Sequence, residues 1–234
     1  MGVKGKSALP GPPEFFIHLS LQFMYRVTCS LVSCFVLISA VASVDTAMGL
    51  SIYSSTSLEE VAQESPDTVK FLQVQFLTDR QVMATLLKRA EKAAYKGVLL
   101  TVDSPTYSKH KGRDRFYLPE HLHYANFSAV QKEKGFQNNE EFQAYIDPLC
   151  ADCSADWKAF DWLRSITSLP LIVKGILTAE DARLAVQHGV QGILVSNHGG
   201  RQLDGVHATV CVINFELSII WLFKKLKTLS VKVW

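Results

Sequence analysis

Residues 192–204 read Gly-Ile-Leu-Val-Ser-Asn-His-Gly-Gly-Arg-Gln-Leu-Asp and join an apolar run directly to a polar, glycine-containing turn. A short, continuously apolar run suits a strand that is buried on both faces of a parallel sheet. His198 and Arg201 follow the point where this strand would end. The stretch therefore predicts a buried strand that carries two ionisable side chains to one end of a sheet.

Similar apolar runs lie further upstream and alternate with amphipathic helical stretches between Thr46 and Thr209. Alternation of this kind is the pattern of a parallel sheet covered by helices. We predict strands at Phe71–Gln75, Gly97–Asp103, Leu169–Lys174 and Gly192–Ser196, with a weaker one near Met48–Tyr53. The fold class is therefore α/β.

Local signals mark where the helices between these strands begin and end. Ser57–Glu60 and Thr78–Gln81 have the spacing of capping boxes, and Thr178 before Glu180 and Asp181 predicts a third N-cap. Gly97 and Gly189 stand where glycines commonly terminate helices before the next strand. Together these signals predict repeated strand–helix–strand units.

Polar residues collect where the predicted strands end. In a (β/α)8 barrel the active site is built from the carboxyl ends of successive strands, so these side chains would face one ligand. A doubly wound sheet stays open as the alternative, although no Gly-x-Gly-x-x-Gly motif follows any predicted strand. The strand-end residues are Gln73, Gln75, Thr101, Asp103, Lys174, Ser196, His198 and Arg201.

Lys174-Gly175-Ile176, followed by Ser196–Asp204, resembles the FMN-dependent α-hydroxy-acid oxidases, the glycolate and long-chain hydroxy-acid oxidases. The resemblance covers about residues 46–209. It implies a partial (β/α)8 TIM barrel with about six of the eight strands. It also implies an FMN cofactor and the oxidation of an L-2-hydroxy acid to a 2-oxo acid, with dioxygen as acceptor and hydrogen peroxide as product.

The resemblance assigns roles residue by residue. His198 matches the catalytic base, and Arg201 matches the arginine that binds the substrate carboxylate beside His198. Lys174 matches a lysine that stabilises the reduced flavin. An imidazole suits the role of base near neutral pH, and a planar guanidinium suits carboxylate binding. The remaining expected contacts to the flavin or its ribityl chain are Ser51, Gln73, Thr101 and Ser196.

The sequence also departs from the family pattern. Gln75 stands where the family usually has a tyrosine, and the basic run 107–113 is shorter and shifted relative to a family arginine. The family's two phosphate-binding motifs, Asp-Gly-Gly-x-Arg and Gly-Arg, do not follow Asp204. Since a phosphate dianion needs such donors, we expect poor FMN affinity.

Neither end of the chain has the alternating strand and helix pattern found between Thr46 and Thr209. Residues 1–45 form a non-family segment whose apolar run, Cys29–Val44, mimics the core of a signal peptide, and secretion would make Asn126 a glycosylation acceptor. Residues 210–234 form an apolar and basic tail without capping signals. Both apolar runs are short for a membrane span. The open alternatives are a non-catalytic splice product or gene-model fragment, and a secreted or membrane-anchored binding protein.

Net charge and the spacing of histidines and cysteines indicate which classes of partner to expect. A formal net charge of +2 does not favour nucleic acid, so a small substrate is expected. No metal site is expected, because His121 and His123 have no further ligand nearby and Cys150 and Cys153 have no second pair. By family resemblance we expect a homo-oligomer in peroxisomes, with the cytoplasm as the alternative because the chain ends without a targeting tripeptide.

Overall fold

The computed structural model describes residues 31–44, 46–104, 119, 121–149, 152, 154–209 and 211–212. The basic run 107–113, Cys150, Cys153 and most of the tail 210–234 lie outside the described residues. The predictions made for those segments therefore stay predictions.

Five parallel strands form one sheet in chain order. A doubly wound sheet reverses its strand order at a switch point, whereas a barrel keeps strands in sequence, so this order identifies part of a barrel. The five strands named from the sequence are confirmed, and the described residues contain no sixth. They are β1 Ala47–Ser51, β2 Val69–Gln75, β3 Gly97–Thr101, β4 Leu171–Ile176 and β5 Gly192–Val195.

Helices connect these strands, and the described part of a longer excursion between β3 and β4 contains three α-helices. Short 3-10 turns occur at Ala125–Phe127 and at His198–Gly200. The helices are α1 Leu31–Ser43, α2 Leu58–Glu64, α3 Arg80–Lys92, α4 Ser128–Lys134, α5 Asn139–Leu149, α6 Trp157–Ile166 and α7 Ala179–Gln187.

Three of the predicted helix boundaries are confirmed. Ser57 forms the expected capping box with Glu60, and the Thr178 hydroxyl accepts a hydrogen bond from the Asp181 backbone N–H. Gly189 follows the C-cap of α7 with a φ of +70°. These signals are readable from sequence because each depends on residues within one helical turn.

Two other boundary predictions are wrong. Asp79, rather than Thr78, caps α3, and its carboxylate accepts hydrogen bonds from the backbone of Gln81 and Val82 at 2.9 and 3.1 Å. Gly97 does not terminate α3, which ends at Lys92. Gly97 instead begins β3, where a Cβ atom would lie 2.9 Å from the backbone oxygen of Pro170. Close packing, not helix termination, explains that glycine.

Alternate strand residues pack on opposite sides of the sheet. Leu72, Val74 and Leu100 belong to the large core shared with the helices. Phe71 and Leu99 belong to a separate small cluster on the other face, which would be the barrel interior. Because side chains alternate along a strand, the residues two and four positions after Phe71 and after Leu99 lie on this same inner face. They are the polar residues near the carboxyl ends of the strands.

Helix α1, within the segment expected to be foreign to the fold, packs on the core. Ile38 is completely buried and Val41 is buried, although Val36 is 62% exposed. No helix in the described ranges has both the length and the apolar character needed to cross a membrane.

The Asn126 side chain is buried and hydrogen-bonded inside the fold. It accepts a hydrogen bond from the Leu58 backbone N–H at 2.9 Å and donates one to the Ile52 carbonyl at 3.2 Å. Its sequon would therefore be inaccessible to glycosylation once the chain has folded.

Candidate active site

A row of polar side chains crosses the carboxyl ends of four adjacent strands. The parallel register sets Ser51 beside Gln73, and it sets Thr101 between Gln75 and Lys174. The Gln73 amide nitrogen donates a hydrogen bond to the Thr101 hydroxyl at 2.9 Å. All these positions lie on the face that carries the inner cluster. The structure thus brings together the predicted cofactor residues of β1 to β4.

Asp103, two residues beyond β3, lies at the centre of the site. Its carboxylate oxygen Oδ1 is 2.5 Å from the His198 Nδ1 atom, and Oδ2 is 3.2 Å from the Lys174 ammonium. The side chains of His198, Lys174 and Asp103 are only 2%, 4% and 7% exposed. One buried carboxylate therefore binds both a predicted catalytic base and a predicted flavin contact.

Sequence reasoning placed Asp103 at a strand end and gave it no role. A signal was present, since Asp103 follows Thr101 at the spacing that returns a strand side chain to the same face. That spacing could not identify His198 as the partner of Asp103, because His198 lies on a loop two strands away in the sheet.

The buried charges determine how Asp103 ionises. Burial alone would raise the pKa of Asp103, but the hydrogen bond from His198 and the positive charge of Lys174 outweigh it and hold that pKa below its ordinary value. Burial lowers the pKa of Lys174, and the charge of Asp103 opposes that shift. The arrangement favours an ionised carboxylate at neutral pH.

The loop after β5 has an unusual backbone. His198, Gly199 and Gly200 have φ values of +58°, +67° and +68°. A left-handed conformation is uncommon for a residue with a Cβ atom, and such residues concentrate at functional sites. A Cβ atom at Gly200 would meet no atom within 4 Å, so its positive φ, rather than crowding within the chain, accounts for glycine there.

Side chains of the same loop hold His198 in place. The Ser196 hydroxyl accepts a hydrogen bond from the His198 backbone N–H at 3.0 Å, and the Arg201 Nε atom donates to the His198 carbonyl at 3.0 Å. Arg201 is exposed, whereas the His198 side chain is buried. The loop therefore presents an accessible guanidinium next to a fixed imidazole.

Tyr53 adds a hydroxyl that sequence reasoning missed. Its hydroxyl donates to the Gln75 amide oxygen at 3.2 Å, and its ring packs against Tyr124 and Phe127 with centroids 6.0 Å away. Gln75 is the position at which the expected tyrosine is absent. The phenol of Tyr53, which follows β1, therefore lies next to position 75.

One polar atom at the site has no partner among the described residues. Gln73 is 1% exposed, and its amide oxygen accepts no hydrogen bond from the described residues. A buried acceptor without a donor is costly, so its presence suits a ligand that brings an N–H group. No group of three or more potential metal ligands occurs within the described part of the chain.

A parallel barrel-type sheet with a buried lysine, aspartate and histidine at its carboxyl ends has the architecture of (β/α)8 barrel proteins, whose ligand sites lie at the strand ends. Residues 32–215 match the family described as FMN-dependent dehydrogenase. The chain belongs to that family. The match begins inside α1, so it extends further toward the N-terminus than the resemblance read from the sequence.

Curated relatives agree with this assignment. The chain is 42% identical to human 2-hydroxyacid oxidase 1 over 182 residues, which cover 75% of this chain and 49% of the relative. It is 44% identical to glycolate oxidase of Spinacia oleracea over 173 residues, or 73% of this chain and 47% of the relative. The chain therefore spans about half the length of the curated relatives it matches.

Solved structures show the same similarity. A chimera of (S)-mandelate dehydrogenase superposes with a TM-score of 0.69 at 29% identity, covering 80% of this chain and 53% of that one. Mandelate oxidase crystallised with (S)-mandelic acid gives a TM-score of 0.65 at 31% identity, covering 80% and 50%. These comparisons support the partial barrel.

Proposed function

We propose that residues 46–209 form the flavin-facing and substrate-facing part of an FMN-dependent 2-hydroxy-acid oxidase. The reaction is oxidation of an L-2-hydroxy acid to a 2-oxo acid, with dioxygen as acceptor and hydrogen peroxide as product. The observation that carries the proposal is the buried hydrogen bond between His198 and Asp103 at the strand ends. The names of the curated relatives support the substrate class.

His198 acts as the base in this proposal. When the Nδ1 atom donates to Asp103, the Nε2 atom carries the lone pair that can accept a proton from the substrate. The ionised Asp103 carboxylate then stabilises the imidazolium that forms. The tautomer is inferred from the hydrogen bond, because the partner at Nδ1 determines which nitrogen is protonated.

Arg201 binds the substrate carboxylate. Its Nε atom is held by the His198 carbonyl, which keeps the guanidinium next to the base. A planar guanidinium can donate two parallel hydrogen bonds to a carboxylate and so orient the substrate. Orientation of this kind places the reacting carbon beside His198.

The polar row of β1 to β4 would hold FMN. Bound there, FMN would supply the two-electron acceptor for the oxidation and the route for those electrons to dioxygen. The Gln73 amide oxygen supplies an acceptor for a ring N–H, and Lys174 supplies positive charge beside a ring that becomes anionic. The further contacts in the proposal are the hydroxyls of Ser51, Thr101 and Ser196.

The test is a chimera in which spinach glycolate oxidase supplies the segment that follows residue 209. His198→Ala in this chimera should leave FMN bound and reduce hydroxy-acid oxidation about 10²–10⁴-fold, the usual contribution of a general base. His188→Ala is the matched control, because His188 stacks on Trp157 away from Asp103. Turnover of the His198 variant within about threefold of the parent would assign the base elsewhere.

The proposal extends to assembly and location. Family resemblance suggests a homo-oligomer in peroxisomes, with the cytoplasm as the alternative location. Sedimentation of the purified chain and subcellular fractionation test these two points separately from the chemistry.

A further inference from the structure

Strand β4 is irregular at the point where it delivers Lys174. Its pairing with β5 shifts between Lys174 and Ile176, as in a β-bulge. The residue between them, Gly175, has a φ of +112°. Only glycine adopts such a conformation without strain, and bulges commonly redirect side chains next to active sites.

The space beside Gly175 is occupied by Asp103. A Cβ atom added to Gly175 would lie 2.5 Å from the Asp103 Cβ, 2.6 Å from its Cγ and 2.7 Å from its backbone nitrogen. Real Cβ atoms essentially never approach another heavy atom this closely. Any larger residue at position 175 therefore requires Asp103 or the backbone at position 175 to shift.

Asp103 has little freedom to move aside and keep its contacts. The Val102 backbone N–H donates to the Lys174 carbonyl at 2.9 Å and joins the two strands immediately beside the contact. The carboxylate is bound to His198 and Lys174, and its side chain is 7% exposed. Displacement would therefore lengthen the bond to His198 rather than be absorbed in solvent.

We propose that Gly175 is a positioning residue for the candidate base: its missing side chain lets Asp103 lie close enough to hold His198 Nδ1. The catalytic meaning of this inference rests on the proposed function, whereas the geometric claim does not. Gly175 contacts neither substrate nor His198 in this role. It acts through Asp103.

The experiment compares Gly175→Ala with the wild-type full chain by proton NMR of the histidine rings. A histidine Nδ1–H that donates to a buried carboxylate at 2.5 Å gives a far-downfield, slowly exchanging resonance, and Asp103→Ala assigns it by removing it. We expect this resonance to be lost or moved upfield in Gly175→Ala. Gly135→Ala is the matched control, because Gly135 has a φ of +74° and no atom near its added Cβ.

Retention of the resonance at its wild-type position in Gly175→Ala would overturn the inference, as would its absence from the wild-type chain. The readout needs neither FMN nor substrate. A failure here is therefore distinguishable from a failure of the proposed oxidase activity.

A double-mutant cycle covers the case in which Gly175→Ala does not fold. Asp103→Gly removes the Cβ and Cγ atoms that the new methyl group would meet. In that background we expect the effect of Gly175→Ala on the unfolding equilibrium constant to be at least about tenfold smaller, since contacting residues couple. The strain of the positive φ at position 175 and the contact with the Asp103 backbone nitrogen are common to both backgrounds, so the cycle cancels them. An equal effect of Gly175→Ala in both backgrounds would overturn the inference.

Discussion

Asp103 shows how one residue links the charges of the site. Its carboxylate contacts both His198 and Lys174 in a place where little water reaches. Removing one member of a buried charged group is costly because the others are left without compensation. The same residue therefore contributes to folding stability and to the proposed chemistry.

The stability due to Asp103 should depend on pH. Its pKa in the folded chain is below the ordinary value of 3.8, so its contribution is complete above that value and is lost as the pH falls through the folded pKa. We expect Asp103→Asn to lower the free energy of unfolding by about 3 kcal/mol at neutral pH. Urea titrations at decreasing pH should show this difference shrinking in acid.

Asp161→Asn is the control for that measurement. The Asp161 side chain is 64% exposed and lies 3.6 Å from His188 Nδ1. A surface pair of this kind contributes about 0–1 kcal/mol, so the control should change little at any pH. A pH-independent loss for Asp103→Asn would contradict the assignment of an ionised, paired carboxylate.

At the scale of elements, a buried turn helps to tie the excursion between β3 and β4 to the barrel. Asn126 bonds to the start of α2 and to the chain after β1. The Arg89 guanidinium of α3 donates to the Asn126 carbonyl at 2.7 Å and to both oxygens of Glu59 at 2.8 Å. The turn Ala125–Phe127 thus contacts α2, α3 and the chain after β1, all of which are distant from it in sequence.

Asn126→Ala should destabilise the chain by about 2–4 kcal/mol. The substitution leaves the Leu58 N–H and the Ile52 carbonyl buried without these partners, and an unsatisfied buried group costs about 1–3 kcal/mol. Chemical denaturation followed by circular dichroism measures the change. Asn138→Ala is the control: its exposed amide caps α5 through the Glu141 N–H, and we expect about 1 kcal/mol or less.

A loss no larger for Asn126→Ala than for Asn138→Ala would show that the buried turn does not anchor the excursion. The conclusion that the Asn126 sequon is inaccessible in the folded chain would then also fail.

At the scale of the whole molecule, we propose flavin-ring contacts from the described strands, and the family's phosphate-binding motifs do not follow Asp204 in this sequence. We therefore expect residues 1–234 to bind FMN much more weakly than the chimera with glycolate oxidase. Backbone N–H groups and arginines that bind a phosphate dianion contribute strongly to affinity. Titration followed by flavin fluorescence measures both dissociation constants.

Riboflavin, which has no phosphate, is the matched ligand control. The chain should bind riboflavin and FMN with similar affinity, while the chimera should prefer FMN. Stoichiometric FMN binding by the chain at roughly micromolar or tighter affinity would show that other residues of this chain bind the phosphate.

The sequence by itself determined the parallel βα repeat, the five strands and the polar residues at their carboxyl ends. These features depend on local patterns, because hydrophobic runs and capping side chains act within a few residues of the chain. Ser57 and Thr178 were recognised for the same reason. The candidate base and the lysine were recognised because their surrounding motifs resemble those of a known family.

Only the tertiary structure decided what Asp103, Gly175 and Asn126 do. Asp103 reaches His198 across 95 positions of sequence, and Gly175 is confined by Asp103, which follows the neighbouring strand β3. Such contacts depend on strand register and on the bulge in β4, and no local sequence pattern specifies either of them. The choice of Asp79 over Thr78 as N-cap also depended on backbone geometry that side-chain preference alone leaves undecided.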